Sequence, residues 1–450
     1  MRMLTLGFAA VGLIVSSTAA RADLPYEREP INYLSAQTTD PVAQLQKLME
    51  SKKVVLEKEG PSGYLRSLLK ALDIPVSSQV LVFSKSSFQI SKISPKKPRA
   101  LYFNDDVYIG YVQNGDGTEI SAADPELGGV YYFLSEADDD EGAVIERRTH
   151  DCLQCHVNGR TEDVPGHMVR SIPTGPSGRP VFSAGSANIT HESPLNERWG
   201  GWYVTGKASG QAHLGNMLAD PTSRDGPKPV AKDVLDLAGR FNLKPYLSPH
   251  SDIVALMTLE HQVKMHNLIT AANYQAKLAM QYAKEINKAF GEPEGTISET
   301  TARRFDGPTE KLVRYMLFID EAKLTGKIEG TSDFAAEFQA RGPRDPQGRS
   351  LRDFDMTTRM FKYPCSYLIY SKAFNALPEP IKERTYRRLW EILSGQDKTP
   401  DYDVRTPEQR AAILEILLAT KPDLPDYWRG GQTVASDDSE KSAASPLASH

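Results

Sequence analysis

Cys152, Cys155 and His156 fall in the order Cys-x-x-Cys-His within Cys152-Leu153-Gln154-Cys155-His156. Two thiols at that spacing can add across the two vinyl groups of one haem, and a histidine directly after them is delivered to the iron as its proximal ligand. The chemistry implied is covalent attachment of a single haem, with Cys152 and Cys155 as the thioether donors and His156 as the metal ligand. The competing reading is a redox or zinc Cys pair that precedes a histidine by accident. A zinc site needs two further ligands, and Cys365 is the only other cysteine in the chain.

Iron held by His156 leaves a sixth position, and its occupant separates the functions open to the chain. A second protein ligand makes an electron carrier, whereas an open position makes a candidate enzyme. Met217 is one candidate, 61 residues after His156 in a loop before Pro221. His167, with Met168 beside it, is another, because Pro165-Gly166 can turn the chain back toward the iron. His261 is a third, on the apolar face of a helix with Met257, Met265, Leu268 and Ala272. For Met217 and His261 packing in the core is the competing role, while the His167 segment could instead cover a propionate. Arg147, Arg148, Arg160 and Arg170 flank the motif and are natural bidentate partners for haem propionates. Trp199, Trp202 and Tyr203 are candidates for packing on the haem. Glu260-His261 lacks the second histidine of a zinc helix, and no Ser-His-Asp order, phosphate loop or dinucleotide fingerprint has supporting context.

The elements that must position these residues change character along the chain. From Asp23 to Asp73 the pattern is helical, with apolar spacings of three and four at Val42 to Leu48 and Tyr64 to Leu72. Val80 to Phe83, Ala100 to Phe103, Val107 to Val112 and Val130 to Leu134 are β-branched and aromatic runs. With the turn signal Asn114-Gly115-Asp116-Gly117, they predict a meander of about four strands. Pro- and Gly-rich loops follow the haem motif, and Trp199 to Val204 is a short aromatic strand. Ile253 to Phe290 reads as one long helix, capped at Ser251 or Asp252 and ended by Gly291. Helical patterns recur at Glu310 to Ala322, Arg352 to Phe361, Ser366 to Phe374, Ile381 to Ser394 and Pro407 to Thr420. The expected fold class is α+β, predominantly helical, with the haem segment between a small β-rich region and a large helical C-terminal domain. The boundaries are 1–22 for a signal peptide, 23–135, 136–245 for haem binding, 246–430 for the helical domain, and 431–450 for a disordered tail rich in Ser, Ala and charge.

Export is consistent with haem chemistry of this kind. Arg2, the apolar stretch Leu4 to Val15 and the small residues of Ala20-Arg21-Ala22 form a secretory signal, with Asp23 as the first mature residue and the periplasm as the destination. The apolar run is shorter than the ~20 residues a membrane span needs, so no transmembrane segment is expected after its removal. Losing Arg2 and Arg21 moves the formal net charge from −5 to −7 and leaves 428 of 450 residues. That charge makes nucleic acid a poor partner. The acidic run Asp138-Asp139-Asp140-Glu141 is either a solvated loop or a docking patch for a basic redox protein. Cys365 sits in the aromatic stretch Tyr363 to Tyr370 and reads as an inert buried thiol.

Through Cys152 to His156 the chain resembles the c-type cytochromes, and the placement of Met217 is similar to the distal methionine of their small class I members. It also resembles large exported bacterial proteins described only as containing a cytochrome c domain, through Tyr102 to Tyr108, Glu197 to Tyr203 and Ser248 to Asp252. It departs from the dihaem peroxidases in having one attachment motif instead of two. The resemblance implies haem c and iron but no particular activity. Electron transfer to a redox partner protein is the first expectation. A haem oxidoreductase of peroxidase or oxygenase type is the second, with His261, His167 or His213 as distal acid or base and Trp199, Trp202 or Tyr203 able to hold an oxidising equivalent. Ligand sensing is a third.

Overall fold

The computed structural model describes residues 24–135, 142–223, 225–402 and 405–429. The expected signal peptide, the acidic run at 138–141 and the expected disordered tail lie outside the described residues. Two helices, α1 (Pro41–Glu50) and α2 (Leu65–Ala71), precede the strands β1 (Val80–Val82), β2 (Arg99–Phe103), β3 (Val107–Tyr111), β4 (Gly117–Asp124), β5 (Gly128–Ser135) and β6 (Ile145–Arg148). The Cys-x-x-Cys-His segment forms α3 (His150–His156), followed by β7 (Arg170–Ser171), β8 (Ala187–Asn188) and β9 (Trp202–Tyr203). The remainder is helical: α4 (Ile253–Phe290), α5 (Glu299–Arg303), α6 (Asp306–Met316), α7 (Phe334–Ala340), α8 (Lys372–Asn375), α9 (Glu379–Leu393) and α10 (Pro407–Thr420). The fold is therefore α+β, and no described helix is long and apolar enough to cross a membrane.

The strands form one antiparallel sheet in the order β6-β5-β4-β3-β2-β1-β9. This enlarges the expected four-strand meander to seven strands. β4 and β6 have few β-branched residues and belong to the sheet through pairing with β5 on either side, which local propensity does not reveal. β6 and β9 come from the span assigned to haem binding, so the expected boundary at 135 cuts through a hydrogen-bonded sheet. Alternation along the strands divides the side chains between two cores. Leu81, Ala100, Tyr102, Ile109 and Ile120 face the N-terminal helices, while Val80, Val82, Phe103 and Tyr108 face α4 and the C-terminal helices.

α4 is the 38-residue helix that the periodicity predicts, starting after Asp252 and ending at Gly291, whose φ of 72° suits glycine. One carboxylate oxygen of Asp252 accepts from the backbone N–H of Val254 at 2.8 Å and of Ala255 at 3.1 Å. The other accepts from Thr331 N–H at 2.7 Å, Ser332 N–H at 2.8 Å and the Ser332 hydroxyl at 3.0 Å. Asp252 is fully buried. Asp252→Ala strips the helix start and the 331–332 loop of their acceptor at once, and is expected to cost about 2–4 kcal/mol in urea unfolding.

The helix expected over Arg352 to Phe361 is not formed. Asp355 turns its carboxylate onto the N–H groups of Thr357 at 2.8 Å and Thr358 at 3.1 Å, and Met356 has a φ of 53°. Short acidic side chains compete in this way with the helical hydrogen bond. Ser366 to Phe374 divides into a 3-10 turn over Tyr367–Tyr370 and α8, and α6 stops before Phe318, whose φ is 54°. Cys365 is fully buried, and burial pushes its thiol up to about 12, as an unreactive cysteine requires.

Candidate haem-attachment site

Seven residues of α3 place Cys152, Cys155 and His156 three and four positions apart, on one face of a single helical turn. Cys155 is exposed and Cys152 half-buried. Leu153, on the other side, is buried in the core beneath the sheet and anchors the turn. Burial pushes the Cys152 thiol up to about 11, with Glu119 and Asp151 adding to the effect. A dithiol redox centre works through a lowered thiol pKa, so this environment does not suit that chemistry.

The loop from His156 to Gly166 closes on itself. The Gly166 N–H donates to the His156 carbonyl at 3.0 Å, and His156 Nδ1 lies 2.8 Å from the Gly166 carbonyl oxygen. A carbonyl can only accept, so Nδ1 carries the proton and Nε2 keeps a bare lone pair. Burial holds the imidazole below its ordinary pKa, which keeps the ring neutral. Nε2, on the far side of the ring from Gly166, is thereby prepared to bind a metal.

The same loop is tied to two distant elements. Gly129, at the start of β5, donates its N–H to the Pro165 carbonyl at 2.8 Å. On α4, Asn267 accepts from the His167 N–H at 2.9 Å and donates to the His167 carbonyl at 2.7 Å. A side chain on Gly166 would collide with Asn267 Oδ1, which explains the glycine. Tyr131 completes the arrangement by donating its hydroxyl to the Gly166 carbonyl at 2.5 Å, with its ring 4.8 Å from that of His156. Tyr131, Asn267 and the Gly128-Gly129 pair escape sequence reasoning. The only signal is the clustering of Gly and Pro on both sides of the contact.

The three candidates for the sixth position are placed differently. His167 is buried beside Tyr108 and Tyr131, its ring 6.5 Å from that of His156, and its Nε2 is bonded to the Ser121 hydroxyl on β4. His261 faces the helical core. Its Nδ1 lies 2.8 Å from His191 Nδ1, its Nε2 lies 2.8 Å from the Ser366 hydroxyl, and Phe318 stacks on it at 4.4 Å. Burial pushes His261 down to about 3, so it is a neutral core histidine with both nitrogens in use. Met217 is half-buried on the loop after β9, between Asn216, which bonds to Trp202, and Ala219, which bonds to Thr174. The fold does not bring these three together.

The flanking arginines also separate. Arg147 points to the N-terminal side of the sheet and donates to the carbonyls of Ala36 at 2.9 Å and Tyr33 at 2.7 Å, so its guanidinium is already committed. Arg148 is drawn to Asp151 and Glu146. Arg160 is exposed. Arg170 feels both Cys155 and Arg160, donates to Ser186 at 2.5 Å, and keeps a buried Nε without a partner. Trp199 is committed to Glu260, its indole N–H donating at 2.5 Å, and Trp202 donates to the Arg170 carbonyl at 2.7 Å. Tyr203 donates to the Pro95 carbonyl at 2.7 Å, and His213 packs on Trp199 at 5.0 Å.

Among the described residues no group of three or more His, Cys, Asp and Glu side chains could hold a metal ion by itself. No protein-family model, curated protein or solved structure matches the chain.

Proposed function

We propose that the chain is an exported monohaem c-type cytochrome that carries electrons in the periplasm for a redox partner protein, its haem segment set between a β-rich region and a predominantly helical C-terminal one. The observation that carries this reading is His156, fixed by Gly166 with its Nε2 lone pair free, within one helical turn of two thiols on the same face. The residues fit the group. Cys152 and Cys155 would hold a haem through thioethers and His156 would bind its iron, while Arg170, with a buried unpaired Nε, is the cation best suited to a propionate. Haem c supplies an iron that cycles between Fe(III) and Fe(II). Cys155 is exposed, so a thioether formed there would lie at the surface, within reach of a partner protein.

One observation favours a second reading, a haem oxidoreductase with an open sixth position: both ring nitrogens of His261 and the Nε2 of His167 are already engaged. The carrier reading takes Met217 as its distal ligand. The reduced protein is therefore expected to bind carbon monoxide slowly or not at all, and Met217→Ala to bind it rapidly, as read from the Soret band. Rapid binding by the wild type would sink the carrier reading in favour of the oxidoreductase.

A further inference from the structure

Three buried tyrosines point their hydroxyls at backbone carbonyls around the β4–β5 turn and the haem loop. Tyr33 donates to Gly129 at 2.6 Å, Tyr274 to Leu127 at 2.9 Å and Tyr131 to Gly166 at 2.5 Å. Only the last shares its acceptor with His156. The Gly166 carbonyl thus takes two donors at once, the Tyr131 hydroxyl and the His156 Nδ1–H. Tyr131 is held in place by its position on β5 opposite Ser121, by burial, and by ring contacts with His156 at 4.8 Å and His167 at 5.9 Å.

We infer that Tyr131 is a positioning residue that sets the reduction potential of the haem by competing with His156 for the Gly166 carbonyl. The inference rests on the haem c reading above. A hydrogen bond from Nδ1–H to a strong acceptor gives the ring imidazolate character and raises its basicity as a ligand. A more basic ligand stabilises Fe(III) over Fe(II) and lowers the potential. The Tyr131 hydroxyl draws electron density from the same carbonyl oxygen, weakens it as an acceptor for His156, and so keeps the potential up. Its removal leaves no buried donor without a partner, since the carbonyl retains both His156 Nδ1–H and its place in the loop.

The test compares wild type with Tyr131→Phe, with 3-fluorotyrosine introduced at position 131, and with Tyr33→Phe, which removes a hydroxyl from the same layer that does not reach Gly166. Each is produced with the haem-attachment machinery, and three quantities are read: covalent haem by mass, midpoint potential by spectroelectrochemical titration and, with each variant combined with Met217→Ala so that the reduced iron keeps His156 as its one protein ligand, the iron–histidine stretch by resonance Raman. Fluorination makes the phenol a stronger donor and keeps the hydroxyl, so it also covers the case in which Tyr131→Phe does not fold. The expected order of potentials is Tyr131→Phe below wild type and the fluorinated protein above it. The iron–histidine frequency is expected to move the opposite way, and Tyr33→Phe to match wild type in both. If haem is attached and the potentials coincide, or if Tyr33→Phe shifts as far as Tyr131→Phe, Tyr131 does not set the potential and the haem reading stands. If the wild type carries no covalent haem, the haem reading itself fails, and this inference with it.

Discussion

Serine at both Cys152 and Cys155 is expected to abolish covalent haem entirely. The wild-type chain, co-expressed with haem-attachment machinery, is expected to gain the mass of one haem and to keep its colour after acid-acetone extraction. The double variant has the bare mass and loses the colour. The size of the effect follows from the bond type: a thioether is covalent, and no network of weak contacts among the described residues replaces it. Cys152→Ser and Cys155→Ser are expected to differ from each other. Cys152 is half-buried against the core beneath the sheet and Cys155 is exposed, so a haem retained by Cys155 alone is held less firmly. His156→Ala is expected to reduce attachment and to alter the spectrum of what is attached. A wild-type chain of unmodified mass under the same conditions overturns the haem assignment.

The second large effect lies away from the motif, at Glu260. Its carboxylate accepts from Arg198 Nη1 at 2.8 Å and from the Trp199 indole at 2.5 Å, and both Glu260 and Arg198 are almost fully buried. Arg198 also donates to the carbonyls of His191 at 3.0 Å and Ser193 at 2.6 Å, so this cluster fastens the 191–199 loop to α4. Glu260→Ala leaves a buried guanidinium and an indole N–H short of their acceptor. The expected loss is about 3–5 kcal/mol in denaturant unfolding at pH 7.

Glu260→Gln keeps the shape and one acceptor, and its cost depends on pH. Burial raises Glu260 from 4.5 to about 7, against the opposing pull of Arg198 and Trp199. Between those two values the folded protein holds a proton that the unfolded chain has released. Stability from this group is therefore fully present below pH 4.5 and is lost as the pH rises through 7. Glutamine cannot titrate, so the advantage of wild type over Glu260→Gln is expected to shrink by up to about 3 kcal/mol from pH 4.5 to 8. A pH-independent difference between the two would show that the carboxyl is ionised throughout.

How far the fold could be read in advance depends on the range of the forces involved. α4 was legible from end to end because its apolar period runs unbroken between a capping aspartate and a terminating glycine, both local signals. β1, β2, β3 and β5 were legible because their own side chains favour extended backbone. β4 and β6 were not, since they pair through neighbours and carry Gly, Ser, Glu and Arg. The false helix at 352–361 shows the limit of periodicity: apolar spacing was present, but Asp353 and Asp355 had better partners in turns. His261 was correctly placed on an apolar face, yet the spacing could not say that His191 and Ser366 would occupy both its nitrogens.

The sequence by itself determined where the proposed attachment chemistry lies. Cys152, Cys155 and His156 lie within a single helical turn, and their relation needs nothing from the rest of the chain. Only the tertiary structure decided what surrounds that chemistry. Which nitrogen of His156 is free depends on Gly166 ten residues away, the carbonyl that holds it is shared with Tyr131 at a separation of 35, and the loop's position depends on Asn267 at 100 from His167. Each of these is a hydrogen bond between groups that folding removes from water, where an unpaired donor is costly and one partner is selected from many. Local spacing carries no record of that selection, so the proposed proximal ligand can be read from five residues while the orientation of its ring comes from the packed sheet and α4.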